Sequence, residues 1–431
     1  MRPPLPGGPY LVVGFARSGT AAARALHARG EAVIAYDAKQ RAAVDGIELV
    51  TGVDGTQLLD GVACVVKSPG VPREAPVIAL ALERGIPVIG ELELAWRLLP
   101  NKLIAVTGTN GKTTTVELIG QIHRAAGRPF EVAGNVGRAL STLLLTAPSP
   151  DATVVCEVSS FQLEDTLAFA PDAAVLLNLT PDHLDRHHTF EQYREAKLRV
   201  FVNQSGDAIA VVPEQLADLD AGTARRVLFG PGEQCALRLR DGSLHWREEF
   251  LLVTAELRMR APLEDAMAAA AVSLACGLPL DAVRDAIVAF RGVAHRLEEI
   301  GKLDGVTYVN DSKATNVAST LVALEAFEPG SVLLILGGQG KGQDFRPLRE
   351  AIARRARHVY LIGEDAPRIA EALPGIPHSM LESLDQAFEL ASRLAKPGQV
   401  VLLSPACASF DQFDSFEARG DAFRKLIHEQ A

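Results

Sequence analysis

Short runs of β-branched and other apolar residues recur along this chain, each followed by helically spaced residues, and that alternation leaves few folds open. The runs fall at 10–13, 32–36, 64–66, 102–106, 153–158, 173–177, 208–212, 332–336, 359–362 and 400–403. A strand that is apolar throughout has no face to offer water, so the pattern predicts parallel sheets with helices packed on both sides. One region departs from it: residues 235–259 alternate around Asp241-Gly242 and read as an antiparallel hairpin. A chain of 431 residues is too long for a single core. We place breaks near 98–101 and 296–301, which divides it into 1–99, 100–297 and 298–431.

Composition excludes several classes. Charged residues at 22% and hydrophobic ones at 48% describe a globular chain, not a disordered one. The formal charge is −10, and no lysine or arginine block offers a nucleic-acid surface. Cys64, Cys156, Cys235, Cys276 and Cys407 are scattered without a Cys-x-x-Cys pair, which points to reduced thiols in a cytoplasmic protein. The N-terminal residues lack the apolar core of a signal peptide, and the alanine-rich stretch 266–276 is too short to span a bilayer.

Residues 104–114 read Ile-Ala-Val-Thr-Gly-Thr-Asn-Gly-Lys-Thr-Thr. An apolar run enters a glycine-bearing loop, and a helical stretch at 114–126 leaves it, which is the layout of a phosphate-binding loop. Backbone N–H groups over Gly108, Thr109, Asn110 and Gly111 cradle phosphate oxygens. Lys112 reaches the terminal phosphates, and the Thr113 hydroxyl can ligate Mg²⁺. Val106 stands where the usual pattern has glycine, and Gly108 supplies one instead. The expected ligand is a nucleoside triphosphate.

The first block carries a second nucleotide signature. Gly14-Phe-Ala-Arg-Ser-Gly19 follows the first strand, and Asp37 ends the second, a unit that binds dinucleotides. The middle glycine is replaced by Ala16, so a nicotinamide dehydrogenase is the weaker reading. The loop of Lys67, Ser68, Pro69, Gly70 and Val71 also lies at a strand's C-terminal end, where such sheets place ligands.

In the second block, Glu157 ends an otherwise apolar strand, where NTPases hold Mg²⁺. Asp182-His183 lie on a loop after the run 173–177. His183, His187 and His188 could instead suggest zinc, but no cysteine pair supports it. Thr189 and Gln192 form a capping box for the next helix, in which Phe190, Tyr193, Lys197, Val200 and Phe201 share a face. A lysine in that stripe is costly to bury as a cation. Three remedies stay open: snorkelling, an acidic partner, or reaction of the neutral amine with CO₂ to give a carbamate that binds a second Mg²⁺ beside His183.

Taken in order, the phosphate loop, Glu157-Val-Ser-Ser160, Pro181-Asp-His-Leu-Asp185, Tyr193-x-x-x-Lys197, His295-Arg296, Asn310-Asp-Ser-Lys-Ala-Thr-Asn316 and Leu336-Gly-Gly338 resemble the ATP-dependent Mur ligases of peptidoglycan synthesis. These are relatives of folylpolyglutamate synthase, and the resemblance spans nearly the whole chain. Residues 402–413 with Phe416-Glu-x-Arg419-Gly420 are similar to the member that adds D-glutamate, and the Asp-Asn-Pro-Arg of the diaminopimelate-adding member is missing.

The resemblance implies an α/β protein of three domains: a Rossmann-like domain for the UDP substrate, a central P-loop ATPase domain and a Rossmann-like C-terminal domain. It implies a monomer whose substrates are ATP, UDP-N-acetylmuramoyl-L-alanine and D-glutamate, with two Mg²⁺ ions. Gly108–Thr114 (108–114 in full, Lys112, Thr113 and Thr114 included), Arg296, Asp311 and Lys313 would bind ATP. Thr113, Glu157, His183 and carbamylated Lys197 would hold metal. Gly14, Ser18, Gly19, Asp37, Ser68, Pro69, Gly70, Asn135 and Ser159 would take the muramoyl nucleotide. Thr315, Lys341, Ser409 and the Phe416 backbone would receive D-glutamate. The family's Gly-x-His-Asn stretch for adenine is replaced by Arg258-Met-Arg-Ala-Pro-Leu-Glu-Asp265. Another amino-acid ligase of the folylpolyglutamate type, or a P-loop switch outside the class, are the alternatives.

Overall fold

The computed structural model describes residues 2–257, 262–340 and 342–430. Residues up to Leu257, together with Leu263–Phe290, form one compact unit, and those from Arg291 onward form a second.

The first unit holds two sheets. Its N-terminal sheet has five parallel strands in the order Glu48–Thr51, Val33–Asp37, Tyr10–Val13, Cys64–Lys67, Val88–Gly90. Consecutive residues of its central strand enter opposite cores: Tyr10 and Val12 pack on one face, Leu11 and Val13 on the other. That two-sided burial explains why the strand reads as an unbroken apolar run. Each such side chain contributes roughly 1.5–3 kcal/mol.

The central sheet has nine strands. Parallel strands Phe130–Gly134, Thr153–Glu157, Leu103–Thr107, Ala173–Leu176, Ile209–Pro213, Arg225–Gly230 and Leu237–Arg240 lie in that order. Ser243–Trp246 and Glu249–Val253 then add antiparallel at the edge. The expected hairpin turns at Asp241 and Gly242, whose φ values of 49° and 73° suit a tight two-residue connection. Leu103–Thr107 lies inside this sheet, so the loop that follows it stands on a strand braced from both sides.

The second unit has a six-stranded sheet in the order Glu298–Leu303, Val306–Asn310, Val400–Leu403, Val332–Gly337, Ala356–Ile362, His378–Met380. Only its first pair is antiparallel. Among the described residues, no helix is long and apolar enough to cross a membrane.

Two buried carboxylates join the first two sheets. Glu93, fully buried in the helix Glu91–Leu98, accepts the amide N–H groups of Leu167, Ala168 and Phe169 at 2.9–3.1 Å, as well as the Arg97 guanidinium. Asp165 lies 2.7 Å from the ammonium of Lys67, which is equally buried at the end of the N-terminal sheet's fourth strand.

Candidate active site

The loop at 108–111 owes its shape to two glycines. Gly108 has φ 150°, and Gly111, the residue before the helix Lys112–Ala125, has φ 86°. A side chain at Gly111 would overlap the carboxylate of Asp265. Just beyond the end of the adjacent strand Ala173–Leu176, the Asn178 Oδ1 accepts the N–H groups of Thr109 and Asn110, at 3.0 and 2.9 Å. The Thr109 hydroxyl lies 2.9 Å from the Tyr193 hydroxyl. The loop is thereby held in place before any phosphate arrives, which lowers the cost of binding one.

Glu157, at the tip of the neighbouring strand, is almost completely buried. Its Oε2 accepts the Thr113 hydroxyl at 2.6 Å, and its Oε1 accepts the Asn135 amide at 3.0 Å. A hydroxyl and a carboxylate, side by side at a phosphate loop, are hard oxygen donors of the kind Mg²⁺ takes alongside phosphate.

Lys197 resolves one of the open questions. It is 2% exposed, so it does not snorkel. Its Nζ donates to the Gly108 carbonyl at 2.8 Å and lies over the Tyr193 ring at 4.8 Å. Lys112 donates to the same carbonyl at 2.9 Å and to that of Thr109. Burial first, and the nearby Lys112 ammonium second, hold the Lys197 amine well below the usual lysine range.

His183 enters the one-turn helix Leu184–His187 with φ 53°. Its ring lies 4.8 Å from that of Phe161 and 6.5 Å from that of Tyr193, on the side of the loop where Lys197 sits. His187 bonds the Ser160 hydroxyl at 3.0 Å, and burial lowers its basicity. Among the described residues, no group of three or more His, Cys, Asp or Glu side chains is gathered as a ready-made metal site.

A cleft of about 740 Å³ opens at Asn135, the amide partner of Glu157. Gly14, Ser18, Asp37, Ser68, Pro69, Gly70, Asn135 and Ser159 all line it. Gly19 lies beneath: a side chain there would collide with the Gly14 carbonyl, so its role is close packing of helix on strand. Burial would raise the Asp37 carboxyl, but hydrogen bonds from the Lys39 N–H, the Arg41 side chain and the Phe15 N–H outweigh it and keep the group below its usual range.

In the second unit, the ends of the strands Val306–Asn310 and Val400–Leu403 bring several expected residues to one rim. The buried Asp311 accepts the Ser404 hydroxyl at 2.7 Å and the Leu297 N–H at 3.1 Å. Burial pushes its carboxyl up to about 7, against the opposing influence of the Ser404 bond and the Arg296 charge. Lys313 lies over the Phe416 ring at 5.4 Å, and the Ser312 hydroxyl donates to the Phe416 carbonyl. Arg419 donates to the carbonyls of Ser312 and Cys407, which steadies the segment carrying Ser409. The Thr315 N–H donates to the Lys313 carbonyl. Lys341 and positions 258–261 of the substituted adenine stretch lie outside the described residues.

Family profiles match along the chain: the MurD-like N-terminal domain of Mur ligases over residues 9–90, the Mur ligase middle domain over 106–234 and the Mur glutamate ligase domain over 295–407. The chain is 42% identical over 460 residues to the UDP-N-acetylmuramoylalanine–D-glutamate ligase of Anaeromyxobacter dehalogenans, covering 100% of this chain and 99% of that protein. It is 39% identical over 442 residues to the enzyme of the same name from Koribacter versatilis, covering 98% and 97%. The chain belongs to the Mur ligase family.

Solved structures agree on the fold. MurF ligase from Thermotoga maritima in complex with ADP superposes with a TM-score of 0.64 at 18% identity, covering 99% of this chain and 96% of that one. UDP-N-acetylmuramate-alanine ligase MurC from the same organism gives 0.62 at 18% identity, covering 98% and 100%. The α/β architecture of three sheet-based domains is therefore that of the family.

Sequence reasoning missed residues whose partners lie far along the chain. Arg17, Arg41, Phe161 and Gln162 line the cleft, and Asp265 sits against Gly111. Arg17 lies inside the Gly14–Gly19 motif and Phe161 directly follows the Glu157–Ser160 one, and that adjacency was the available signal. Asp265 closes the substituted stretch 258–265, but nothing local in the sequence tied it to Gly111.

Proposed function

We propose that this chain is an ATP-dependent ligase that joins D-glutamate to UDP-N-acetylmuramoyl-L-alanine, releasing ADP and phosphate, as a cytoplasmic monomer. The product would be a peptidoglycan precursor, which ties the reaction to cell-wall biogenesis, cell shape and division. The observation carrying this reading is the run Asn135–Glu157–Thr113. Asn135 lines the nucleotide cleft and Thr113 belongs to the phosphate loop, so one carboxylate joins the two. A substrate whose UDP moiety fills the cleft would bring its far end, the alanine carboxylate, toward the γ-phosphate.

A carboxylate is a poor acyl donor. Its attack on the γ-phosphorus, with departure of ADP, would convert it to an acyl phosphate, and the D-glutamate amine would then displace phosphate through a tetrahedral intermediate. Lys112 offsets charge between the two anions, and Asn135 and Ser159 orient the acceptor. Thr113 and Glu157 would hold one Mg²⁺, and His183 with carbamylated Lys197 a second; divalent ions held there would supply positive charge to offset that of the phosphoryl oxygens. The neutral Lys197 amine favoured by burial and Lys112 can add CO₂, losing a proton to give N–COO⁻. Gly108–Thr114, Arg296, Asp311 and Lys313 are assigned to ATP, and Thr315, Lys341, Ser409 and Phe416 to D-glutamate. Residues 1–99, 100–297 and 298–431 would serve the UDP substrate, ATP, and the amino acid with ATP.

The test is phosphate release from ATP by purified protein. It should require both the muramoyl-alanine nucleotide and D-glutamate, and L-glutamate should not substitute. Release that ignores both co-substrates, as a P-loop switch would give, overturns the reading.

A further inference from the structure

The helix Leu184–His187 is one turn long and carries His183 at its start. So short a helix has little stability of its own, and side chains must pin it. His187 does so through Ser160. Arg186 does so more extensively. One of its terminal nitrogens donates to the Val71 carbonyl at 2.9 Å and to Glu164 Oε1 at 2.5 Å, and its guanidinium lies over the Phe161 ring at 5.1 Å. The Val71 carbonyl also takes the buried Lys67 ammonium at 2.7 Å, which is 3.5 Å from Glu164 and 2.7 Å from Asp165. The buried Lys67 and the partly buried Arg186 thus face two carboxylates, with the more exposed Arg73 at 3.6 Å from Asp165.

Two of the groups Arg186 touches, Val71 and Phe161, line the nucleotide cleft. The Phe161 ring in turn contacts His183 at 4.8 Å and stacks on His187 at 5.4 Å. A ligand seated on Phe161 and on the 68–72 loop would therefore bear on groups that hold the His183 turn.

We propose that Arg186 is a positioning residue that couples occupancy of the nucleotide-sugar cleft to the placement of His183. The proposal rests on the reading above, in which the cleft takes the muramoyl nucleotide and His183 serves a metal ion. A planar guanidinium suits the task because it can bond a carbonyl and a carboxylate while stacking on a ring, which an ammonium cannot do together. Coupling between two ligands is reciprocal: the nucleotide should tighten metal binding by the factor with which metal tightens nucleotide.

The full-length protein, saturated with a non-hydrolysable ATP analogue, is titrated with Mn²⁺ followed by its paramagnetic resonance signal, with and without UDP-N-acetylmuramoyl-L-alanine. In the parent protein the nucleotide should tighten Mn²⁺ by about tenfold, within the usual range for coupled sites. In R186M the factor should fall close to one, while the ATP analogue binds as before. R186K, which keeps the charge without the fork, should retain only part of the coupling and serves if R186M folds poorly. A factor unchanged in either variant overturns the proposal, as does R186M weakening both ligands with their ratio preserved. A parent protein that binds no muramoyl nucleotide at all would instead refute the underlying functional reading.

Discussion

Replacing Gly111 by alanine tests how the phosphate loop is built. The residue has φ 86°, and adopting that left-handed conformation with a Cβ costs about 1–2 kcal/mol. The added carbon would overlap Asp265 Oδ1, meet its Cγ at 2.9 Å and Leu177 Cδ1 at 3.1 Å. Asp265 is 2% exposed and has little room to retreat, so overpacking adds about 1–3 kcal/mol. G111A should thus lose roughly 2–5 kcal/mol. Urea unfolding followed by tryptophan fluorescence is suited to this, because Trp96 and Trp246 both lie in the unit that contains the loop. The double variant G111A/D265A removes the two nearest clashing atoms but not the backbone strain. Relative to D265A alone, adding G111A should therefore cost only about 1–2 kcal/mol. Affinity for an ATP analogue should fall in G111A and recover partly in the double variant. If G111A costs as much with alanine at 265 as with aspartate, the argument from overlap is wrong.

If Lys197 serves the proposed metal as a carbamate, K197A should lose roughly 10–100-fold in phosphate release, and a short carboxylic acid should restore part of it; no rescue in a folded protein counts against the carbamate. E93A strands three amide donors and the Arg97 guanidinium in a buried place, and should cost roughly 3–5 kcal/mol by urea unfolding. E93Q keeps an acceptor oxygen and should cost less. The Asp311 carboxyl rises from 3.8 to about 7 in the folded state, so the fold binds its proton more tightly than the unfolded chain does. Its contribution is complete below pH 4 and fades as pH rises through 7; calorimetry of D311N between pH 5 and 8 should show a flatter stability profile than the parent.

Much of the fold was legible because local rules and tertiary needs coincide. Strands buried on both faces left apolar runs in the sequence, and the φ values demanded at Asp241-Gly242 and Gly111 left residues that tolerate them. Lys197 announced itself by standing in a stripe of Tyr193, Val200 and Phe201, though only the structure shows that its amine turns inward to Gly108. Glu93 was illegible for the opposite reason. With Arg97 four residues on, it reads as an exposed helical pair, whereas its real partners are amides 74–76 residues away. Asn178 bracing the phosphate loop from 68–69 residues away was hidden in the same way. Sequence periodicity reports which face is apolar, but not which distant peptide group will need a carboxylate.

The Glu93 and Lys67 ties have a consequence for what the cleft can accept. Because its walls are stapled together in advance, the opening behaves as a fixed gauge, and a fitting guest spends little of its binding energy on ordering the host. Rigid compounds cut to that gauge should outperform floppy ones of equal size, and a guest too wide for it would have to break a buried ion pair to enter.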